Sequence, residues 1–244
     1  MSETGTWGGY TDGAYLVREA LARALAEAAH RVLPSGARRP AQDVVLLDIG
    51  GRGRPYAALF SSSPRASGYN VRHVIVDPDP DADVRGLAEA LPFANGIADV
   101  VLCTQALEHV GDPGRAVSEM ARVLGPRGAC VLTTHGTWFY HPDPEDYWRW
   151  TPAGLRRLFA EQGFGEVHVE PIGGTKLALV SLALAALERA AGDGWAGRLS
   201  RRLLVAPANL VAAAWLLGGV TKRASVPGEL VIDYLVVARR SAGP

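Results

Sequence analysis

The chain has 244 residues, with 25 Lys and Arg set against 25 Asp and Glu. That length suits one domain with an appendage and is ample for a real core. The balanced charge argues against a field that would draw nucleic acid, so a nucleic-acid partner is not expected. The two cysteines, Cys103 and Cys130, lie inside apolar runs and read as small buried hydrophobes, not as a disulfide framework or a zinc site.

The opening stretch "MSETGTWGGYTDG" has no basic region followed by an apolar core, so no secretory signal is read and a cytoplasmic protein is expected. "TDGAYLVREALARALAEAAHRVLPSG" reads as one amphipathic helix, with Leu21, Leu25, Ala28 and Val32 spaced by three and four. Thr11 or Asp12 caps its start, and Pro34 with Gly36 stops it. Alternating units follow. "DVVLLD" is a buried strand, then come a glycine turn and a short helix near "PYAALF". "RHVIVD" is a second strand, ending in Asp77, and "IADVVLC" a third clear one. The helix "GDPGRAVSEMARVLG", the strand "GACVLTTH", the helix "TPAGLRRLFAEQGF" and the strand "GEVHVEPI" come next. Two strongly apolar helical stretches, from Lys176 and from Arg198, precede a last strand, "ELVIDYLVVARR".

Strands alternating with helices predict a parallel, doubly wound α/β sheet. Such sheets bind ligands beyond the carboxyl ends of their strands. The glycine turn, Asp77, the stretch after Cys103, and His135 all fall at such ends.

The turn "LLDIGGRGRPY" admits three ligands. A phosphate loop needs a Lys followed by Ser or Thr after its last glycine, and none is present. A dinucleotide fingerprint needs a third glycine where Tyr56 stands. The remaining pattern is an acid before the glycines and another at the end of the next strand, which suits S-adenosyl-L-methionine. Gly50, Gly51 and Gly53 would let the backbone approach the methionine part. Asp48 would orient the turn or meet the methionine amino group, and Asp77 would accept hydrogen bonds from both ribose hydroxyls.

The stretch "AEALPFANGIADVVLCTQALEHVGDPGRAVSEMARVLGPRGACVLTT" resembles the class I SAM-dependent methyltransferases of the methyltransferase type 11 group. The matching residues are Leu91-Pro92-Phe93, Asp99, Leu107-Glu108-His109-Val110, and Arg122-Val123-Leu124 with Pro126 and Gly128. The resemblance spans roughly residues 44 to 172. It implies a Rossmann-like seven-stranded sheet of order 3-2-1-4-5-7-6 with strand 7 antiparallel, helices on both faces, and a helical insertion between strands 6 and 7. It implies S-adenosyl-L-methionine as cofactor and S-adenosyl-L-homocysteine as product. The family commonly carries an acid for the adenine amino group where this chain has Leu87, so adenine is expected either to be read by the backbone of Ala88 alone or to be flanked by Leu87 and Leu91. Gln105, ending the fourth strand, is expected beside the ligand. Residues 1–40 then form a helical segment covering the cofactor site, and 41–244 the cofactor-binding domain, with 175–225 as the apolar insertion.

Methyl transfer is a displacement at a sulfonium, so the protein must bring the nucleophile in line and in some cases take a proton. Related enzymes with Glu-x-x-Glu-His at residues 105–109 bind a divalent ion; Gln105 replaces the first Glu, and no metal is expected. The acceptor-side candidates are His135, His141 and Asp146, with Tyr140, Trp148 and Trp150 as an acceptor wall. The alternative is structural: Asp146 and Arg149 pair to hold the loop, and His141 caps a turn. The stretch from His141 to Thr151 resembles bacterial methyltransferases associated with glycan or natural-product biosynthesis. The expected reaction is therefore methyl transfer to O or N of a small-molecule or glycan-type acceptor. A non-catalytic scaffold or regulator binding SAM or its product is the alternative, and a nucleotide-dependent dehydrogenase is disfavoured by Tyr56. "LLVAPANLVAAAWLLGGV" is near the lower limit for crossing a membrane, but it returns to the sheet. It is expected to lid the acceptor pocket or form a homodimer contact. The other reading is a membrane-surface element, with Arg198, Arg201 and Arg202 suited to anionic headgroups.

Overall fold

The structure is a computed structural model and describes residues 11–33, 43–53, 56–66, 69–192, 194–216 and 228–241. In chain order its elements are α1 (Tyr15–Val32), β1 (Val44–Ile49), α2 (Ala57–Ser61), β2 (Val71–Asp77), β3 (Val84–Arg85) and β4 (Ala98–Thr104). Then follow α3 (Pro113–Val123), β5 (Leu124–His135), α4 (Pro152–Glu161), β6 (Phe164–Ile172), α5 (Thr175–Ala191), α6 (Trp195–Ser200), α7 (Ala206–Leu216) and β7 (Asp233–Arg240). The chain divides into two compact units, Leu25–Glu170 with Tyr234–Pro244, and Met1–Ala24 with Pro171–Asp233.

The sheet has seven strands in the order β3-β2-β1-β4-β5-β7-β6, as the resemblance implies. β1 pairs in parallel with β2 and β4, and β4 with β5. β7 runs antiparallel. Its far end binds the near ends of its neighbours, for Arg240 Nη1 donates to Leu124 O at 2.7 Å and the Ser241 N–H to Gly163 O at 3.1 Å. The residue pattern yields six strands. The one it does not reveal is β3, two residues long, which pairs Val84 with Val76 and Arg85 with Asp77. So short a strand carries no alternation to read.

Val100, Val101, Leu102 and Cys103 on β4 and Val131 and Leu132 on β5 have no exposed surface. Burying each Leu or Val stabilises the fold by roughly 1.5–3 kcal/mol, and strands covered on both faces read as unbroken apolar runs. Helix ends follow the expected chemistry. Asp112 caps α3 by accepting from the Arg115 N–H at 2.9 Å, and Thr151 caps α4 by accepting from the Gly154 N–H at 3.1 Å, each with proline in the first turn. Asp99 accepts from the Val45 N–H at 3.0 Å, fastening the start of β4 to that of β1.

The smaller unit is helical. Asp12 stands just ahead of the first helix, its carboxylate accepting from the Ala14 N–H at 2.7 Å and pairing with Arg18 at 3.0 Å. The buried Asn209 on α7 donates to Asp12 O at 2.9 Å, and the Gly13 N–H donates to Glu188 on α5 at 2.8 Å. A π-wound turn, Arg201–Val205, joins α6 to α7 and precedes Pro207. The expected stops Pro34 and Gly36, and the end of the apolar run past Leu216, lie outside the described residues.

Candidate active site

The parallel register brings the carboxyl ends of β1, β2, β4 and β5 to one edge. Ile49 lies opposite Val76 and Cys103, and Thr104 opposite Thr133. The glycine turn leaves β1 there, latched by the Gly50 N–H to Val76 O at 2.9 Å.

The three glycines do different work. Gly50 has φ of +75°, and a Cβ on it would meet the Ala106 Cβ at 2.6 Å. A Cβ on Gly51 would sit on the Asp48 carboxylate. Gly53 also has φ of +75° but faces open space. Gly51 therefore makes room for an acid of its own chain, while Gly53 supplies the left-handed backbone that a side chain disfavours. Asp48 is buried, and its Oδ2 lies 2.8 Å from His73 Nε2 on β2. The sequence pattern does not single out His73, one of three polar residues in β2 with Arg72 and Asp77; its contact with Asp48 follows from β2 lying beside β1.

Asp77 ends β2, buried, with Oδ1 accepting from the Asp79 N–H at 2.8 Å. Arg52, on the glycine turn, lies 3.6 Å from Asp77, 3.2 Å from Asp79 and 3.6 Å from Asp143. The sequence pattern does not reveal Arg52 either, because its partners lie at the end of β2 and, far along the chain, at Asp143. Leu87 is exposed and forms an isolated bridge with Ala90; Ala88 is half-buried. The following Leu-Pro-Phe segment is clamped from α3. Glu119 accepts from the Leu91 N–H at 2.8 Å, and Arg122 donates to Leu91 O and Phe93 O at 3.0 and 2.7 Å.

Gln105 has φ of +51°, in the left-handed region a side chain rarely adopts. Its N–H and Nε2 donate to Thr133 O and Oγ1 at 2.9 and 3.2 Å, while its buried Oε1 has no hydrogen-bond partner. Gln105, Glu108 and His109 do not form the helical face their spacing suggests. Only Leu107–His109 wind, as a single 3-10 turn, because the strained residue 105 stands outside it.

Glu108 has no exposed surface; its Oε2 accepts from the Thr134 hydroxyl at 2.8 Å, and its Oε1 lies 3.4 Å from His135 Nε2. His135 stacks on Trp138, ring centroids 5.7 Å apart, and meets His141 edge-on at 5.1 Å. His141 Nδ1 lies 3.0 Å from Phe139 O and 3.3 Å from Asp146 Oδ2. Burial lowers the pKa of His141 below the ordinary imidazole value, opposed by the Phe139 carbonyl. Asp146 is held on both oxygens by Arg149, at 2.6 and 2.7 Å, and also accepts from the His141 N–H at 3.0 Å. The guanidinium hydrogen bonds hold its carboxyl far below the usual carboxylate range. Arg149 further donates to Phe139 O and Trp138 O, and Trp150 N–H to His135 O, so the loop is tied to itself and to the end of β5. Trp148 and Trp150 stack at 5.7 Å, and Tyr140 is exposed. His135, His141 and Asp146 are thus brought together in one cluster.

A family model described as a methyltransferase domain matches residues 16–169. An uncharacterized methyltransferase of Mycobacterium sp. (strain JLS) is 36% identical over 100 residues, 36% of this chain and 37% of that protein. The chain spans less than two-fifths of the length of the curated relatives it matches. Among solved structures, the [4+2]-cyclase SpnF superposes with a TM-score of 0.50 and 19% identity, covering 92% of this chain and 82% of its own. Phosphoethanolamine N-methyltransferase 2 of Haemonchus contortus, in complex with phosphomonomethylethanolamine and S-adenosylhomocysteine, also gives 0.50, with 14% identity, covering 96% and 61%. At those identities the two structures speak for the fold alone.

Proposed function

This chain belongs to the methyltransferase-domain family, and from that premise we propose that it transfers a methyl group from S-adenosyl-L-methionine to O or N of a small-molecule or glycan-type acceptor. The observation that carries the reading is Gln105. It has a strained backbone and an unpartnered buried Oε1, and it directly precedes Ala106, whose Cβ a side chain on Gly50 of the glycine turn would meet. A buried amide oxygen without a partner costs about 1–3 kcal/mol, and a polar ligand at the turn would relieve it. The residues fit the cofactor on that ground.

When bound, S-adenosyl-L-methionine supplies the electrophilic methyl. Gly50, Gly51 and Gly53 would give its amino-acid end a close approach, with Asp48 and His73 stiffening the turn from below. Asp77 would hold the ribose hydroxyls in place of Arg52, and Leu87 and Ala88 would flank the adenine. On the acceptor side, His141, neutral because burial disfavours its charge, would accept a hydrogen bond or a proton from the acceptor group. His135 would lie beside it, and Asp146 would position His141 rather than touch the acceptor. Most of the rate would come from alignment of the reacting atoms.

Calorimetric titration with S-adenosyl-L-methionine and S-adenosyl-L-homocysteine, run on the full chain and on Asp77→Ala, tests the cofactor half. Binding that the variant loses supports the site; binding of neither ligand sinks it. A methylation screen across hydroxyl and amine acceptors tests the other half, and binding without turnover would make the protein a scaffold.

A second reading concerns the helical unit. Trp195, Leu199, Leu203, Leu204, Leu210 and Val211 are exposed, near Arg198, Arg201 and Arg202 in the chain. Among the described residues no helix is long and apolar enough to cross a membrane. Apolar side chains interleaved with arginines suit contact with an anionic membrane surface. Co-sedimentation with anionic but not neutral vesicles is the expected result, and equal recovery in both supernatants would end this reading.

A further inference from the structure

We propose that Glu108, His135 and His141 form a binding site for a divalent transition-metal ion of the zinc class. One ligand atom from each residue lies within 4.8 Å of the other two. His135 Nε2 and Glu108 Oε1 already stand 3.4 Å apart. Two ligands each 2.0–2.1 Å from a tetrahedral zinc are separated by about 3.4 Å. His141, half-buried on its loop, supplies the third ligand atom inside that distance.

The chemistry of each donor agrees. Glu108 is wholly buried, with one oxygen engaged by Thr134 and the other, Oε1, without a hydrogen-bond partner. A buried carboxylate oxygen left so is costly, and a cation at that oxygen removes the cost. His141 is oriented as metal-binding imidazoles are. Its Nδ1 faces the Phe139 carbonyl and the Asp146 carboxylate, which places the proton on Nδ1 and the lone pair on Nε2. Asp146 is itself fixed by Arg149, so a second layer of hydrogen bonds holds that ligand. His135 is held flat against Trp138.

Two imidazoles and one carboxylate select the ion. Magnesium and calcium take oxygen ligands, whereas imidazole suits zinc and its neighbours. Three protein donors leave a fourth position for water or an acceptor hydroxyl, as in catalytic rather than structural zinc sites. The donors come from the turn after β4, the end of β5 and the loop beyond, so no local spacing reveals them. Binding of the ion stands on this geometry alone. Its catalytic meaning rests on the acceptor-side reading above: with the ion in place the imidazoles become ligands, and the ion polarises the acceptor hydroxyl.

The full chain, treated with chelator and dialysed, is titrated with ZnCl2 in a calorimeter, and CoCl2 uptake is followed by visible absorbance. One saturable equivalent is expected, with a cobalt spectrum of low coordination number. Glu108→Gln keeps the Thr134 hydrogen bond and the shape of the side chain, and His141→Asn alters a half-exposed residue; each should weaken zinc about 100-fold or more. His141→Asn keeps the test open if the buried variant misfolds. No saturable uptake, or uptake that neither substitution changes, would overturn the proposal. Zinc binding without methylation of any acceptor would leave the metal site standing and defeat the transferase reading alone.

Discussion

Arg122 and Glu119, one turn apart on α3, form a two-pronged ion pair, with Nε–Oε1 at 2.6 Å and Nη2–Oε2 at 2.7 Å. The pair reaches beyond its helix. Through Leu91, Phe93 and Asn95 it grips the Leu-Pro-Phe segment that follows Leu87 and Ala88. Two motifs far apart in the sequence are one contact in space. The Arg122 hydrogen bond holds the Glu119 carboxyl below the usual range, against the opposing effect of burial. A lowered carboxyl pKa contributes stability that is present above the ordinary value, about 4.3, and is lost as pH falls through the lowered folded value. Glu119→Gln should therefore cost about 1–2 kcal/mol at pH 7. That difference from the parent should shrink below about pH 4. Urea unfolding at several pH values measures it, and a difference constant into acid would contradict the pairing.

The glycine turn separates two kinds of glycine by their neighbours. Gly51→Ala places a methyl on the buried Asp48 carboxylate, so it should cost about 1–3 kcal/mol by overpacking. It should also displace the Asp48–His73 pair and weaken cofactor binding. Gly53→Ala meets no atom but must hold a positive φ, at about 1–2 kcal/mol. Thermal melting ranks the two, and calorimetry with S-adenosyl-L-homocysteine reads the binding effect. Equal binding loss in both would assign Gly51 to ligand approach instead.

Arg149 ties the loop after β5 through Asp146 and the carbonyls of Trp138 and Phe139. Lysine keeps the charge but not the planar fork. Arg149→Lys should leave cofactor affinity within about threefold, as a change of under ~1 kcal/mol. It should lower kcat/KM for a methyl acceptor by about 10–100-fold, the effect of a misplaced acceptor-side group. Loss of cofactor binding in step with turnover would mean that the loop supports the glycine turn and not the acceptor side.

Most of the architecture was legible because strand burial and helix caps are local properties. Asp112 and Thr151 cap α3 and α4 directly ahead of a proline, and Asp48, Asp77, Gln105 and His135 lie at or beside strand ends that the apolar runs mark out. What the chain did not disclose depends on register. His73 meets Asp48 only because β2 lies beside β1. Arg52 gathers three acids from two places, the end of β2 and the loop beyond β5, and Glu108, on the turn after β4, faces His135 at the end of β5. β3 escaped for a different reason, since two residues make no period.

The two cysteines offer a probe of the core itself. Cys103 and Cys130 are wholly buried, on adjacent strands, with Val101 rather than Cys103 opposite Cys130. Burial pushes both thiols well above their ordinary pKa, so thiolate is scarce as well as inaccessible. Neither should react with a thiol reagent such as DTNB in the folded protein, and both should react at once in denaturant. Because both strands lie in the middle of the sheet, labelling in native buffer should require sub-global or global opening. The labelling rate, at reagent concentrations where closing outpaces reaction, should then rise with urea along the slope of global unfolding. A flat, urea-independent rate would mean that β4 and β5 open locally, and would place the Gln105 edge of the sheet on a mobile rather than a rigid support.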